Sequence, residues 1–400
     1  MADTAAPSAL IVGAGVFGAG TALALARRGW RVTLLEQAVV GHAGASSGGE
    51  SRLLRYSHGA DRWYTDMAWA ARAGWKQVEA DSGRDLLLET GLVWFARTAD
   101  GWEADSARVC ADAGVPVERL ASDRVGELFP SVRTDDLAFG LWEPHAGVLR
   151  AREAVITLAD LATRHGATLR DGVRATPAGA GVAVGAEVLH ADRVVWACGP
   201  WLPRIHPGRV QLTVTQQDTC FFSVPPAWRA GLVPAWADFA GAAYGCGDLD
   251  GLGFKCSSDR QGPEFDPDSD DRLPLATSVA AARDALAYRF PALADAQLAG
   301  TRVCQYTTTA DTRFLVSPLD DDRVWLIGGG SGHGFKHGPA LGEYVADLLE
   351  GRQAPDPRLG LTARAPGTSL RTAGHRGDAG AAAAAGAEGG RPTPGQGPAR

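Results

Sequence analysis

Gly13-Ala14-Gly15-Val16-Phe17-Gly18 lies between an apolar run, Ala9-Leu10-Ile11-Val12, and a helical stretch continuing to Arg28. A G-x-G-x-x-G spacing in that position restricts the local fold to a strand, a tight turn and a helix laid back on the strand. Gly13 permits the turn, Gly15 lets a diphosphate approach the backbone, and Gly18 lets the helix pack closely. The helix N-terminus then stabilises phosphate charge. Gly29 is placed to end the helix, and residues 32–35 read as the second strand. Glu36 follows, where a carboxylate can accept hydrogen bonds from both ribose hydroxyls and would repel a 2′-phosphate. The unit therefore points to FAD or NAD and away from NADP. Val195 to Trp201, V-W-A-C-G-P-W, is a strand entering a glycine turn in mid-chain. That pattern recurs in FAD proteins that lay the cofactor across a second part of the same domain. Gly199 and Trp201 are expected at the cofactor, as is Val173.

Four hundred residues with 45% apolar content can bury a large core. The net charge of -7 leaves no basic stripe for a nucleic-acid partner. The first apolar run breaks at Gly13, too soon for a signal-peptide core, and no later run approaches about 18 residues. A cytoplasmic protein without a membrane segment is expected, working as a monomer. The six cysteines are dispersed and form no CxxC pair, so neither disulfides nor a metal site is expected. Most should be small buried apolar groups.

Helices are expected over residues 63–79, 151–165 and 273–293, and a closing helix with Pro339 in its first turn and Gly351 at its end. Short strands are expected near 92–95, 167–169, 182–184, 194–196, 210–222, 303–307, 314–316 and 324–327. The reading is α/β: a Rossmann-type FAD-binding domain (residues 1–85, 146–208 and 304–352) interwoven with a sheet-rich substrate domain (86–145 and 209–303). Residues 353–400, rich in Ala, Gly, Pro and Arg, are expected to be disordered.

Only three of the 39 basic residues are lysine, and Lys255 and Lys336 both follow a Gly-Phe pair in glycine-rich loops. A compact ammonium retained amid arginines marks places where a wide guanidinium would not fit. The text around them is specific: Cys304-Gln305-Tyr306-Thr307, then Ser331-Gly332-His333-Gly334-Phe335-Lys336, with Ser51-Arg52-Leu53-Leu54-Arg55 and Gly251-Leu252-Gly253-Phe254-Lys255 upstream. With the glycine fingerprint, these segments resemble the monomeric sarcosine oxidase and N-methyltryptophan oxidase family of covalent flavoprotein amine oxidases. The resemblance spans about residues 8 to 350 by motif order. It implies the D-amino-acid-oxidase-like, glutathione-reductase-like architecture.

The resemblance implies that FAD is joined through Cys304, with Ser51 and Arg52 beside the flavin. Arg55 and Lys336 would hold the substrate carboxylate, and Lys255 would serve the reduction of oxygen. Tyr244 and Tyr306 would line the substrate pocket. Backbone amides of the loop carrying Gly332, His333, Gly334 and Phe335 would face the flavin's polar edge, with His333 shaping that turn. Two positions depart from the family. Gly48 and Asp259 stand where relatives carry histidines, so sarcosine itself is not the expected substrate. Asp259 is read either as pocket-facing, paired with Lys255 or a substrate donor, or as a solvent-facing loop residue. The expected activity is oxidation of a secondary or cyclic amino acid to an imine, with hydrogen peroxide formed from molecular oxygen. The alternatives are a dehydrogenase of the same fold using another acceptor, and a flavin-bearing protein without turnover.

Overall fold

The computed structural model describes residues 6–362, 364–367 and 370–371. The fingerprint forms as expected: strand Ser8–Val12, helix Val16–Arg27, strand Arg31–Leu35. These belong to a six-stranded sheet, ordered Leu315–Pro318, Val324–Gly328, Arg193–Trp196, Ser8–Val12, Arg31–Leu35, Thr168–Arg170. Ser8–Val12 runs parallel to both neighbours, with Ile11 opposite Val195 on one side and Leu34 on the other.

Strand periodicity divides this sheet's apolar residues between two faces. Ile11, Leu34, Val195 and Ile327 pack with residues of helices Val16–Arg27, Arg62–Ser82, Ala151–Arg164 and Gly338–Leu349. Leu10, Val12, Val194, Trp196 and Leu326 face the other way, with Val182 of the small antiparallel sheet formed by residues 175–189. The result is helices, parallel sheet and small sheet in three layers.

An eight-stranded sheet, mostly antiparallel, is ordered Leu298–Thr308, Thr213–Phe222, Phe254–Ser258, Ala243–Cys246, Ala235–Asp238, Leu92–Ala96, Phe139–Glu143, Glu118–Leu120. Phe222, Phe254, Cys256, Trp236 and Phe95 pack with Ala282 and Leu286 of helix Ala276–Arg289. Lys255, between Phe254 and Cys256, consequently points to the opposite face. Cys304 pairs with Gln217 and Tyr306 with Thr215, so cysteine and tyrosine, two apart, share one side of their strand. The boundary drawn at residue 304 falls inside strand Leu298–Thr308, because ladder pairing holds that strand to the eight-stranded sheet on both sides of the cysteine.

Several elements differ from expectation: Lys255 lies in strand Phe254–Ser258 and not in a loop, and helix Trp102–Asp112 and strands Ala235–Asp238 and Ala243–Cys246 fall where none is expected. The helix expected over 273–293 spans Ala276–Arg289, since Leu273 precedes Pro274 and is turned away from helical geometry, and Pro291–Leu293 form a separate 3-10 turn. The segment after Arg352 is not disordered throughout: Leu359 is buried, Arg364 donates to the carbonyls of Arg313, Phe314 and Gly360, and Leu370 and Arg371 are buried. Composition missed this because a few apolar and arginine contacts anchor an otherwise core-poor stretch. Residues 372–400 lie outside the described residues. Among those described, no helix is long and apolar enough to cross a membrane.

Candidate active site

One cavity of about 520 Å³ runs from the fingerprint to the loop before the closing helix. At the fingerprint end, Gly13 has φ +100°, and an added Cβ would meet the Ala197 carbonyl oxygen at 2.6 Å. Only glycine fits this turn. Gly15 differs: an added Cβ would find one atom within 4 Å, Ser47 Oγ at 3.4 Å. Its backbone thus faces open space at the start of a helix, the place a diphosphate occupies. Glu36, buried, accepts from the Ala14 amide at 2.9 Å and the Ala38 amide at 3.1 Å. These two bonds leave each carboxylate oxygen further acceptor capacity for a ribose. Val173 and Gly199 line the same cavity, as does Trp201, whose indole donates to Asp268 at 2.9 Å.

At the far end the resemblance-derived residues come together. Arg52 donates to the Ser46 carbonyl at 2.7 Å and approaches Cys304 Sγ at 3.5 Å. Lys255 is 2% exposed, and its ammonium lies 3.4 Å from both Ser51 oxygens and 5.2 Å from the centre of the Tyr244 ring. Burial, and secondarily Arg52, lowers its pKa to about 8. The Tyr244 hydroxyl lies 3.3 Å from that of Tyr306, and burial raises its pKa to about 12.

Arg55 is buried with its guanidinium over the Trp94 ring, and burial lowers its pKa to about 10. It donates to the carbonyls of Ser57 and Leu370. Lys336, 2% exposed, donates to the His333 carbonyl at 2.7 Å; burial first, and then Arg55, holds its pKa well below the ordinary lysine value. In the loop ahead of the closing helix, the Ser331 amide is bound to the Thr307 carbonyl and that of His333 to Gly330. The expectation that this whole loop offers donors is corrected accordingly. The Gly332 and Gly334 amides have no partner among the described residues.

Sequence reading misplaced or missed several groups. Asp259 is neither on the surface nor paired with Lys255: it is buried, ion-paired with Arg371, and accepts from the Tyr306 hydroxyl at 3.2 Å. Arg371 came from a stretch judged by composition, and nothing local marks it. Gly48 has a backbone cause: an added Cβ would fall 1.9 Å from the His42 carbonyl oxygen, so no histidine fits there. Glu143, buried in strand Phe139–Glu143, accepts from the Tyr56 and Ser57 amides and from Trp94 Nε1, and so fixes the backbone just beyond Arg55.

His333 and His337 stand in an H-x-x-x-H spacing that the expectation of no metal site overlooked. With His58 they bring three buried ring nitrogens within 4.8 Å of one another. Burial, and next Lys336, holds all three imidazoles well below the usual histidine range. The same lysine and Arg55 would oppose a cation there.

A glycine turn open to a diphosphate, an acid at the following strand end and one cavity reaching a cysteine and buried cations define a dinucleotide-dependent oxidoreductase. The residues fit FAD at both ends of that cavity. The chain belongs to the FAD dependent oxidoreductase family, whose profile matches residues 8–348. It is 30% identical over 366 residues to the monomeric sarcosine oxidase of Streptomyces avermitilis, covering 85% of this chain and 92% of that protein. It is 27% identical over 361 residues to the peroxisomal sarcosine oxidase of Homo sapiens, covering 85% and 91%. Among solved structures it resembles L-proline dehydrogenase from P. horikoshii with a TM-score of 0.78 at 20% identity, covering 88% of this chain and 95% of that one. That last likeness is one of fold.

Proposed function

We propose that the protein is an amine oxidase acting on a secondary or cyclic amino acid, with FAD held through Cys304 and molecular oxygen as acceptor. The observation that carries this reading is the buried pair Arg55 and Lys336 on the cavity that also holds Cys304. Burial, and then the Arg55 charge, weakens the charged form of Lys336, and an anion bound beside both groups would offset that. A carboxylate suits the pair, since a guanidinium offers two parallel donors and an ammonium a compact third.

Bound FAD would take hydride from the carbon beside nitrogen and pass two electrons to O2, so that amine and oxygen become imine and hydrogen peroxide. The chain's own groups supply the rest. Arg55 and Lys336 fix the carboxylate and thereby the direction of the reacting C–H bond. Tyr244 and Tyr306 wall the chamber. Arg52, already against the sulfur, is suited to steady negative charge on Cys304 as its bond forms. Lys255 presents a buried positive charge suited to oxygen as it becomes anionic. The Gly332 and Gly334 amides are available to the flavin's polar edge. Residues 1–85, 146–208 and 304–352 would form the cofactor part of a cytoplasmic monomer.

Acid-precipitated protein should stay yellow, and a Cys304→Ser variant should release its FAD on precipitation. Colourless wild-type pellets would rule out the covalent bond. Anaerobic bleaching of the flavin by N-methyl or cyclic amino acids, with peroxide formed on readmitting air, tests the reaction. Bleaching without peroxide would mark a dehydrogenase.

A further inference from the structure

Resting on the amine-oxidase reading, we propose that Arg371 is a specificity-determining residue of the substrate chamber. By cancelling the buried charge of Asp259, it selects amino acids whose side group is not cationic.

Arg371 and Asp259 are 112 residues apart in sequence and both line the cavity that holds Tyr244, Tyr306 and Lys336. Their side chains are each 4% exposed and ion-paired. The Arg371 guanidinium also lies over the Tyr306 ring, 4.6 Å from its centre, while the Tyr306 hydroxyl donates to Asp259 at 3.2 Å. Arginine, carboxylate and tyrosine thus form one connected unit on the chamber wall.

The loop that meets it is shaped for the contact. Gly332 has φ +76°, and an added Cβ there would come within 3.0 Å of Arg371 Cδ and 2.8 Å of the Tyr306 ring. Next to Arg371, the Leu370 amide donates to Thr312 Oγ1 at 3.2 Å and the Leu370 carbonyl accepts from Arg55 at 3.0 Å. Thr312 in turn holds His333 through its carbonyl. Leu370 and Arg371 are therefore tied to both carboxylate-side elements.

An ionised carboxylate in such a place is tolerated only while paired, so removing Arg371 makes the chamber more receptive to a cation. With the pair intact, recognition falls to Arg55 and Lys336, and a substrate's cationic side group has no partner. Specificity here comes from a charge held cancelled.

The test uses the holoenzyme and four variants: Arg371→Gln, Arg371→Lys, Asp259→Asn and the Arg371→Gln/Asp259→Asn double. KM and kcat are measured for N-methyl amino acids with neutral and with cationic side groups. Methylguanidinium is titrated into each oxidised form and followed by the flavin spectrum. Arg371→Gln should shift kcat/KM toward the cationic substrate by about tenfold or more and tighten methylguanidinium binding. The double variant should abolish both gains, and Arg371→Lys should resemble the wild type.

Equal losses for all substrates that Asp259→Asn does not reverse would assign Arg371 a purely structural role and overturn the proposal. So would a chain ending at Arg352 with lower KM for every substrate, since the segment would then be competing with substrate. If no amine bleaches the wild-type flavin, yet Arg371→Gln gains methylguanidinium binding that the double variant loses, the amine-oxidase reading fails and takes substrate selection with it, while the charge cancellation at Asp259 stands.

Discussion

Lys255 and Lys336 follow the same Gly-Phe pair and are equally buried, yet their surroundings differ. Lys255 projects from the middle of a strand toward two oxygens of Ser51 and the face of Tyr244. Its charge is partly satisfied, and its pKa of about 8 leaves it largely protonated at neutral pH. Lys336 sits in a short helical turn with Arg55 as the chief charge acting on it, and is held well below the ordinary lysine value. One lysine is a cation kept ready, and the other belongs to a pair that an anion would complete. Burial depresses both and an arginine adds to each depression, so what differs is the oxygen and ring partners around each ammonium.

The largest effect expected from this contrast is at Lys255. Replacing it by methionine should slow reoxidation of the reduced flavin by about 10²–10³, as for loss of a preorganised charge at a developing anion, with reduction by amine much less affected. Stopped-flow mixing with oxygen measures it, and the reverse pattern would exchange the roles of the two lysines.

Next comes the clamp. Lys336→Met or Arg55→Met should weaken binding of small carboxylates by about 1.5–3 kcal/mol, the range for a hydrogen bond to a charged group, and leave reoxidation intact. Titration of the flavin spectrum with acetate reads this directly. Equal affinity for an amino acid and its ester in the wild type would remove the clamp altogether.

The pH dependence sharpens the comparison further. Folded Lys255 loses its proton near 8, below the free-lysine value of 10.5. Its useful charge is present below about pH 8 and lost as pH rises through that value. Reoxidation should fall about tenfold between roughly pH 7 and 9, and the fall should vanish in Lys255→Met. The smallest effect should be at Tyr244→Phe. It removes one hydroxyl of the Tyr244–Tyr306 contact at 3.3 Å while keeping the ring under Lys255, so KM should change by about threefold or less.

The glycine turn could be read from spacing and the other site residues from the family motifs they resemble, because each motif is local. The glycine triplet needs its strand before it and helix after it within thirty residues, and Cys304 and Tyr306 share a face by strand alternation alone. The departures lie where contacts join distant segments. Asp259 was read as facing the pocket, paired with Lys255 or a substrate donor, or as facing solvent; it lines the cavity, and its partner there is an arginine beyond the closing helix. His58 meets His333 and His337 only because the turn after strand Ser51–Leu54 is folded against the loop before that helix.

The sequence by itself determined the cofactor class, the fingerprint turn, the cysteine on its strand and the sites of the two lysines. Each depends on steric or periodic rules acting over a few residues. Tertiary structure decided the strand order of the eight-stranded sheet, the depression of Lys336 by burial and by Arg55, and the arrival of Arg371 beside Asp259. Those outcomes are set by burial and by Coulomb interactions between groups that the chain brings together only when it folds.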